Sequence, residues 1–171
     1  KAYLILGKIL IDAGNLQEAE IITRKAIELN PTLTEAHNNL GIILKDLGKV
    51  KEAEESTRKA IELNPTFPNA YFILGTILLD TGNLQEAEKS VRKAIELKPN
   101  RPSYFLYGSC LFWRREFEAA KKNLYEANLL PDKDIVSDPI LYAAQSAVKL
   151  AIKTSINESN LNYSKKSKVY N

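Results

Sequence analysis

The sequence predicts an all-α protein built as a linear array of two-helix units. Three observations predict it. Small residues and prolines recur at a spacing of 34, as at Gly7, Gly41 and Gly75, at Ala19, Ala53 and Ala87, and at Pro31, Pro65 and Pro99. Within each unit the apolar residues fall at helical spacing. Glycine and proline then fall where a helix has to stop.

The units divide as 1–34, 35–68 and 69–101, with a divergent fourth at 102–136. The phrase QEAE stands at Gln17–Glu20 and Gln85–Glu88, and RKAIEL at Arg24–Leu29, Arg58–Leu63 and Arg92–Leu97. The first helix of a unit carries its apolar line at Tyr3, Leu6 and Leu10, or at Tyr71, Leu74 and Leu78. Gly14, Gly48 and Gly82 end it, as glycine does in a left-handed C-terminal turn. The second helix opens after Asn15 or Asn83, each a candidate cap, with acidic residues in its first turns. It closes at Pro31, Pro65 or Pro99, because proline cannot continue a helix and bends the residue before it away from helical geometry. Gly7, Gly41 and Gly75, with the alanines at Ala19, Ala53 and Ala87, let two helix backbones approach closely. Neither helix can bury its apolar face alone, so units must stack.

In the fourth unit Tyr104, Tyr107, Gly108, Leu111, Phe117, Ala120, Leu124, Ala127 and Pro131 keep the pattern. Arg115 replaces the turn glycine, so this turn is expected to be made differently. Residues 137–155 read as one more helix, capped by Ser137 or Asp138 with Pro139 in its first turn, which would cover the end of unit four. Residues 156–171, rich in Asn, Ser and Lys, read as a loose polar tail.

Composition narrows the function classes. Acidic and basic residues alternate and net charge is only +3, which argues against nucleic acid as the partner. No apolar run approaches the roughly 18–20 residues of a membrane span, so no membrane partner is expected. The single cysteine, Cys110, excludes an intrachain disulfide. No secretory leader is visible, and cytoplasm is the default compartment. The chain opens inside a helical pattern at Lys1-Ala2-Tyr3-Leu4 and is expected to be a piece or processed form of something longer.

With this period, these glycines and alanines and the closing proline, the chain resembles the tetratricopeptide-repeat (TPR) family over roughly residues 1–131. The wording is also similar to arrays in bacterial, notably cyanobacterial, proteins and in O-linked N-acetylglucosamine transferases. One departure is that the family's common aromatic in the second helix is Thr23, Thr57, Val91 and Leu124 here, which implies a slimmer core. The resemblance implies a right-handed superhelix, an α-solenoid with a C-terminal capping helix, whose first helices line a concave groove for a protein or peptide.

Carried over by register, the groove positions are Leu4, Lys8, Ile11 and Asp12 in unit one, and Asn38, Asn39, Ile42, Lys45 and Asp46 in unit two. Unit three supplies Phe72, Thr76, Leu79 and Asp80, and unit four Phe105, Ser109, Phe112 and Trp113. The N-terminal half of this set is mixed and charged, while Phe72, Phe105, Phe112 and Trp113 form an aromatic end. Those aromatics can anchor a partner's side chain. Equally, Phe112 and Trp113 can pack on the C-terminal helix. The family's carboxylate clamp for chaperone tails is not matched, since only Asn39 fits it. Asn39 is also the single rung of the family's asparagine ladder, or else the centre of a local network.

On the convex side Ile21 and Ile22 stand where units two and three have Glu55-Ser56 and Lys89-Ser90. They point either to a contact with another segment or chain, or to incidental surface. Catalysis is not expected. His37 and Cys110 lie about two repeats apart, far beyond the roughly 3 Å that a nucleophile and its base need. No His or Cys pair has metal-ligand spacing, and no glycine motif cradles a phosphate, so neither metal nor cofactor is expected. His37 takes a family aromatic position and reads as a buried packing residue.

The reading is a non-catalytic scaffold that binds a protein or peptide in the groove. Two alternatives stand beside it. One is a regulatory or substrate-recruiting region of a larger enzyme, for example a transferase. The other is self-association into a homo-oligomer through the N-terminal end or Ile21-Ile22.

Overall fold

A computed structural model of the chain describes residues 2–129; within its last helix, the side chains of Leu124 and of residues 126–129 are not described. All eight helices among the described residues pair into hairpins, and no strand occurs among them. The expected helix at 137–155, the tail at 156–171 and Pro131 lie outside the described residues, as does the side chain of Ala127. The chain divides into two compact units, Lys1–Pro99 and Asn100–Asn171.

The first unit holds α1 (Ala2–Asp12), α2 (Leu16–Leu29), α3 (Thr34–Asp46), α4 (Val50–Leu63), α5 (Pro68–Asp80) and α6 (Leu84–Leu97). Each pair is joined by the same short turn. Gly14, Gly48 and Gly82 take φ of 76°, 75° and 78°. The following amide reaches back to the helix, Asn15 to Leu10 O at 2.9 Å, Lys49 to Leu44 O at 2.8 Å and Asn83 to Leu78 O at 2.8 Å. This is a glycine-based C-terminal motif that satisfies the last carbonyls of the helix. A Cβ at these glycines would meet nothing within 4 Å, so glycine is needed there for backbone freedom.

Gly7 and Gly41 serve a different need. A Cβ on Gly7 would lie 2.8 Å from Thr23 Oγ1, and one on Gly41 would strike Thr57 Oγ1 and lie 3.3 Å from Ala53 O. The threonines that replace the family aromatic fill this close approach. Thr57 is fully buried and donates to Ala53 O at 2.8 Å, so its hydroxyl is satisfied inside its own helix.

Between repeats the chain turns on asparagine. Asn30 Oδ1 accepts from the Thr32 amide and hydroxyl, at 3.2 and 2.9 Å. Asn64 Oδ1 does the same for Thr66, at 3.0 and 2.8 Å. Asn83 caps α6 by accepting from the Glu86 amide at 3.4 Å, whereas Asn15 makes no side-chain cap bond. Only one of the two expected caps is therefore formed.

Hairpins stack with α2 against α3, α4 against α5, and α1, α3 and α5 side by side. Ile27 of α2 packs on the cluster of Leu40, Leu44, Ala53 and Ile77, while Ile11, Leu16, Ile22 and Leu47 surround Leu10, Ala19 and Ile43. Charge follows the same register. Arg24 bridges Glu20 at 3.0 Å and Glu52 of the next repeat at 2.8 Å. Arg58 bridges Glu54 at 2.8 Å and Glu86 of the next repeat at 2.5 Å. Lys49 also returns to Glu20 at 2.8 Å. The Lys49 hydrogen bond holds the Glu20 carboxyl below the ordinary carboxylate value; partial burial opposes this and Arg24 reinforces it.

The second unit, as far as it is described, is α7 (Arg101–Trp113) packed on α8 (Phe117–Leu129). Asn100 caps α7 by accepting from the Ser103 amide at 2.9 Å. Phe105, Leu111 and Ala120 form its buried cluster. The turn corrects an expectation. Arg115 adopts φ of 65°, its amide reaches Phe112 O at 2.9 Å, and that of Glu116 reaches Leu111 O at 2.9 Å. The hydrogen bonds are those of the glycine turns, so the hairpin geometry is retained and the arginine is forced into left-handed backbone.

Three outcomes follow from this packing. Ala53→Leu overpacks a residue with no exposed surface and costs roughly 1–3 kcal/mol, read from the urea midpoint. Arg115→Gly relieves left-handed strain of about 1–2 kcal/mol against a smaller gain in unfolded-chain entropy, so its melting temperature rises. Glu20 has a lowered folded pKa, so its stabilisation is present above the ordinary value of 4.5 and is lost as pH falls through the folded value. Denaturant midpoints measured from pH 7 down to pH ~3 should therefore fall less steeply in Glu20→Gln than in wild type.

Candidate partner-binding groove

The groove of the first unit is built from α1, α3 and α5, the first helices of three hairpins lying side by side. Their spacing sets which side chains share a face. Asn38, Ile42 and Lys45 are separated by four and three residues along α3, and Phe72, Thr76 and Leu79 likewise along α5. Leu4, Ile11, Asn39, Ile42, Phe72, Thr76 and Leu79 are all half-buried, and Lys8 and Asp12 are exposed. Half-burial leaves apolar surface open beside solvent-reaching charge. Thr76 donates to Phe72 O at 3.0 Å, so its hydroxyl is engaged within its own helix.

Asn38 differs from the expectation of an open groove residue. It is buried, and its Oδ1 has no hydrogen-bond partner. Packing of the first helices closes over this position, which Leu4 and Phe72 hold half-open in the neighbouring repeats.

The groove edge is acidic. Asp12, Asp46 and Asp80 are the last residues of α1, α3 and α5, where the helix dipole disfavours a carboxylate. Lys45 bridges Asp46 at 2.7 Å. Burial pushes the Asp80 carboxyl above its ordinary value; Lys45 pulls it down and Asp46 pushes it up again. The structure thus brings Lys45, Asp46 and Asp80 into one electrostatic group.

The four aromatics expected at one end of the groove come from both compact units. Phe72 belongs to the first unit, and Phe105, Phe112 and Trp113 to the second. Phe105 is a core residue, buried with Leu111 and Ala120, because its ring fills the space between α7 and α8. It offers no surface to a partner. Phe112 is half-buried and meets Trp113 and Phe117 edge-on, with ring centroids 5.9 and 5.6 Å apart. Trp113 is exposed, and Ser109 donates back to Phe105 O at 3.0 Å.

On the convex side Ile21 is exposed, whereas Ile22 is half-buried against Leu10, Ala19 and Ile43. The two residues therefore do not act as one patch. A cleft of about 420 Å3 that the sequence reading missed lies among α4, α5 and α6. Ile61, Tyr71 and Leu74 contribute its apolar surface, and Arg58, Glu86 and Lys89 its charged rim. Its signal in the sequence is the RKAI phrase, whose arginine and isoleucine turn toward the next repeat at Arg24 and Ile27 and at Arg58 and Ile61.

His37 is half-buried rather than sealed in the core, and its Nε2 lies 2.9 Å from Pro31 O. Tyr71, one repeat on, donates to Pro65 O at 3.2 Å. Both rings clasp the preceding inter-repeat turn, which is a structural task. The Cys110 thiol is buried, and that burial pushes its pKa up to about 12, so it carries no thiolate at neutral pH. Among the described residues no group of three or more His, Cys, Asp or Glu is placed to hold a metal, and no helix is long and apolar enough to cross a membrane.

Models of the tetratricopeptide repeat match residues 1–33, 34–67 and 57–89. No curated protein matches the chain. Among solved structures, a crystal structure of MamA is 27% identical, with a TM-score of 0.68 over 74% of each chain. MamA from Desulfovibrio magneticus RS-1 is 20% identical, with a TM-score of 0.68 over 79% of this chain and 76% of that one. A mutant O-GlcNAc transferase of Thermobaculum terrenum is 21% identical, with a TM-score of 0.67 over 74% of this chain but 26% of that one. The last two likenesses speak to fold alone. Repeat models that together span residues 1–89, on hairpins stacked in one register, make this chain a member of the tetratricopeptide repeat family.

Proposed function

We propose that this chain is a non-catalytic scaffold that binds an extended or helical peptide in the groove of its first unit. The observation that carries the reading is the lining of α1, α3 and α5. Each helix leaves an apolar side chain half-open, at Leu4, Ile42 and Phe72, and each ends on an aspartate. Open apolar surface supplies affinity, and the flanking charges Lys8, Lys45, Asp12, Asp46 and Asp80 favour one polarity of partner. Membership of a repeat family whose members bind proteins or peptides supports the same reading.

Peptides of random sequence displayed against the purified chain test this reading. Those enriched should bind saturably in solution, and Phe72→Ala should weaken them by about tenfold while circular dichroism stays unchanged. Enriched peptides that bind Phe72→Ala and Ile42→Asp as tightly as wild type would place the binding surface elsewhere.

A further inference from the structure

The cleft among α4, α5 and α6 has a volume of about 420 Å3, within the roughly 300–1,000 Å3 of small-molecule sites. Its apolar surface comes from Ile61, Tyr71 and Leu74. Most of its polar groups are already engaged. Arg58 donates to Glu54 and to Glu86 Oε1, and Glu86 Oε2 accepts from Asn83 at 3.1 Å. Glu62 accepts from Lys59 at 2.8 Å, and the Tyr71 hydroxyl donates to Pro65 O.

Two adjacent residues of α6 are the exceptions. Ser90 lines the cleft and is only 7% exposed, yet its hydroxyl has no hydrogen-bond partner among the described residues. A buried hydroxyl in that state is costly unless something in the cleft takes it. The Lys89 ammonium has no carboxylate partner among the described residues either, and it stands exposed at the rim. The preceding repeat uses the same two positions differently. Ser56 donates to His37 O at 2.9 Å, and Glu55 puts a carboxylate where Lys89 puts an ammonium. The third repeat thus holds an unused hydroxyl and an unused cation beside an apolar surface.

We propose that this cleft is a binding site for a small carboxylate with an apolar body, aryl or branched alkyl. The carboxylate accepts from Lys89 Nζ and Ser90 Oγ, and the body lies against Ile61, Tyr71 and Leu74. Lys89 gives the site its sign, because the other charges that line it, Arg58, Glu62 and Glu86, are each held by an opposite charge. The proposal does not rest on the peptide reading, since α4 and α6 take no part in that groove.

The test titrates 4-phenylbutyrate and 4-methylpentanoate into the full isotope-labelled chain and follows the amide chemical shifts. Saturable shifts around Ile61, Leu74 and Ser90 are expected. The neutral 4-phenylbutan-1-ol, which keeps the body and loses the charge, should bind more weakly than 4-phenylbutyrate. Lys89→Glu brings in the residue of the preceding repeat and should weaken the acids roughly fivefold or more, with circular dichroism unchanged. Ser90→Ala should weaken them about three- to tenfold. Glu55→Lys, at the equivalent position one repeat earlier, should leave their affinity as in wild type. If neither acid gives saturable shifts in the cleft, the proposal is overturned. An alcohol that binds as tightly as the acid also overturns it, as does binding indifferent to Lys89→Glu and Ser90→Ala. A Glu55→Lys chain that gains affinity as much as Lys89→Glu loses it would reduce the effect to net charge and overturn it too.

Discussion

A two-helix hairpin of this wording has more apolar surface on its first helix than its own second helix can cover. Leu40 and Leu44 of α3 reach burial only because α2 lies across them with Ile27. The remainder of the first unit depends on that stacking. It fixes the pitch between hairpins and holds α1, α3 and α5 side by side, which aligns the candidate groove residues in one row. Burial of this kind does not specify direction, so the register comes from polar groups. Arg24 and Arg58 each choose one carboxylate in the next repeat, and His37 and Tyr71 each choose one proline carbonyl.

Close approach is the second condition. Thr23 and Thr57 sit where an aromatic is common in the family, and their hydroxyls occupy the space opposite Gly7 and Gly41. A small side chain against a glycine brings the two helix backbones together. Thr57 avoids the cost of a buried hydroxyl by donating to Ala53 O within its own helix. The hairpins are slim because of these residues, and the alanines Ala19, Ala53 and Ala87 are fully buried for the same reason.

The groove inherits its chemistry from this frame. Ending each first helix on an aspartate places three carboxylates at the helix-dipole ends, with Lys45 paired to Asp46 and attracting Asp80. In the proposed reading, such an edge suits a partner that brings positive charge, and the half-open apolar line beside it suits one that also brings an apolar side chain. Fold alone does not name that partner.

Much was legible in the sequence. Period, helix ends and the buried alanines follow from spacing, since glycine and proline act on the backbone of their own neighbours. Asn83 was legible as a cap for the same local reason, although Asn15, in the same setting, makes no cap bond. Other features waited for tertiary structure. Asn38 and Phe105 read as groove residues by register, yet both are buried, because exposure is set by helices distant in sequence. Arg115 reads as a turn made differently, yet the packing of α7 on α8 holds it in the glycine conformation. Sequence by itself determined the repeat and its two helices, through backbone preferences that act within a few residues. Tertiary structure decided which faces remain open, because burying Asn38 while leaving Phe72 half-open at the same position of the next repeat depends on helices that local wording does not supply.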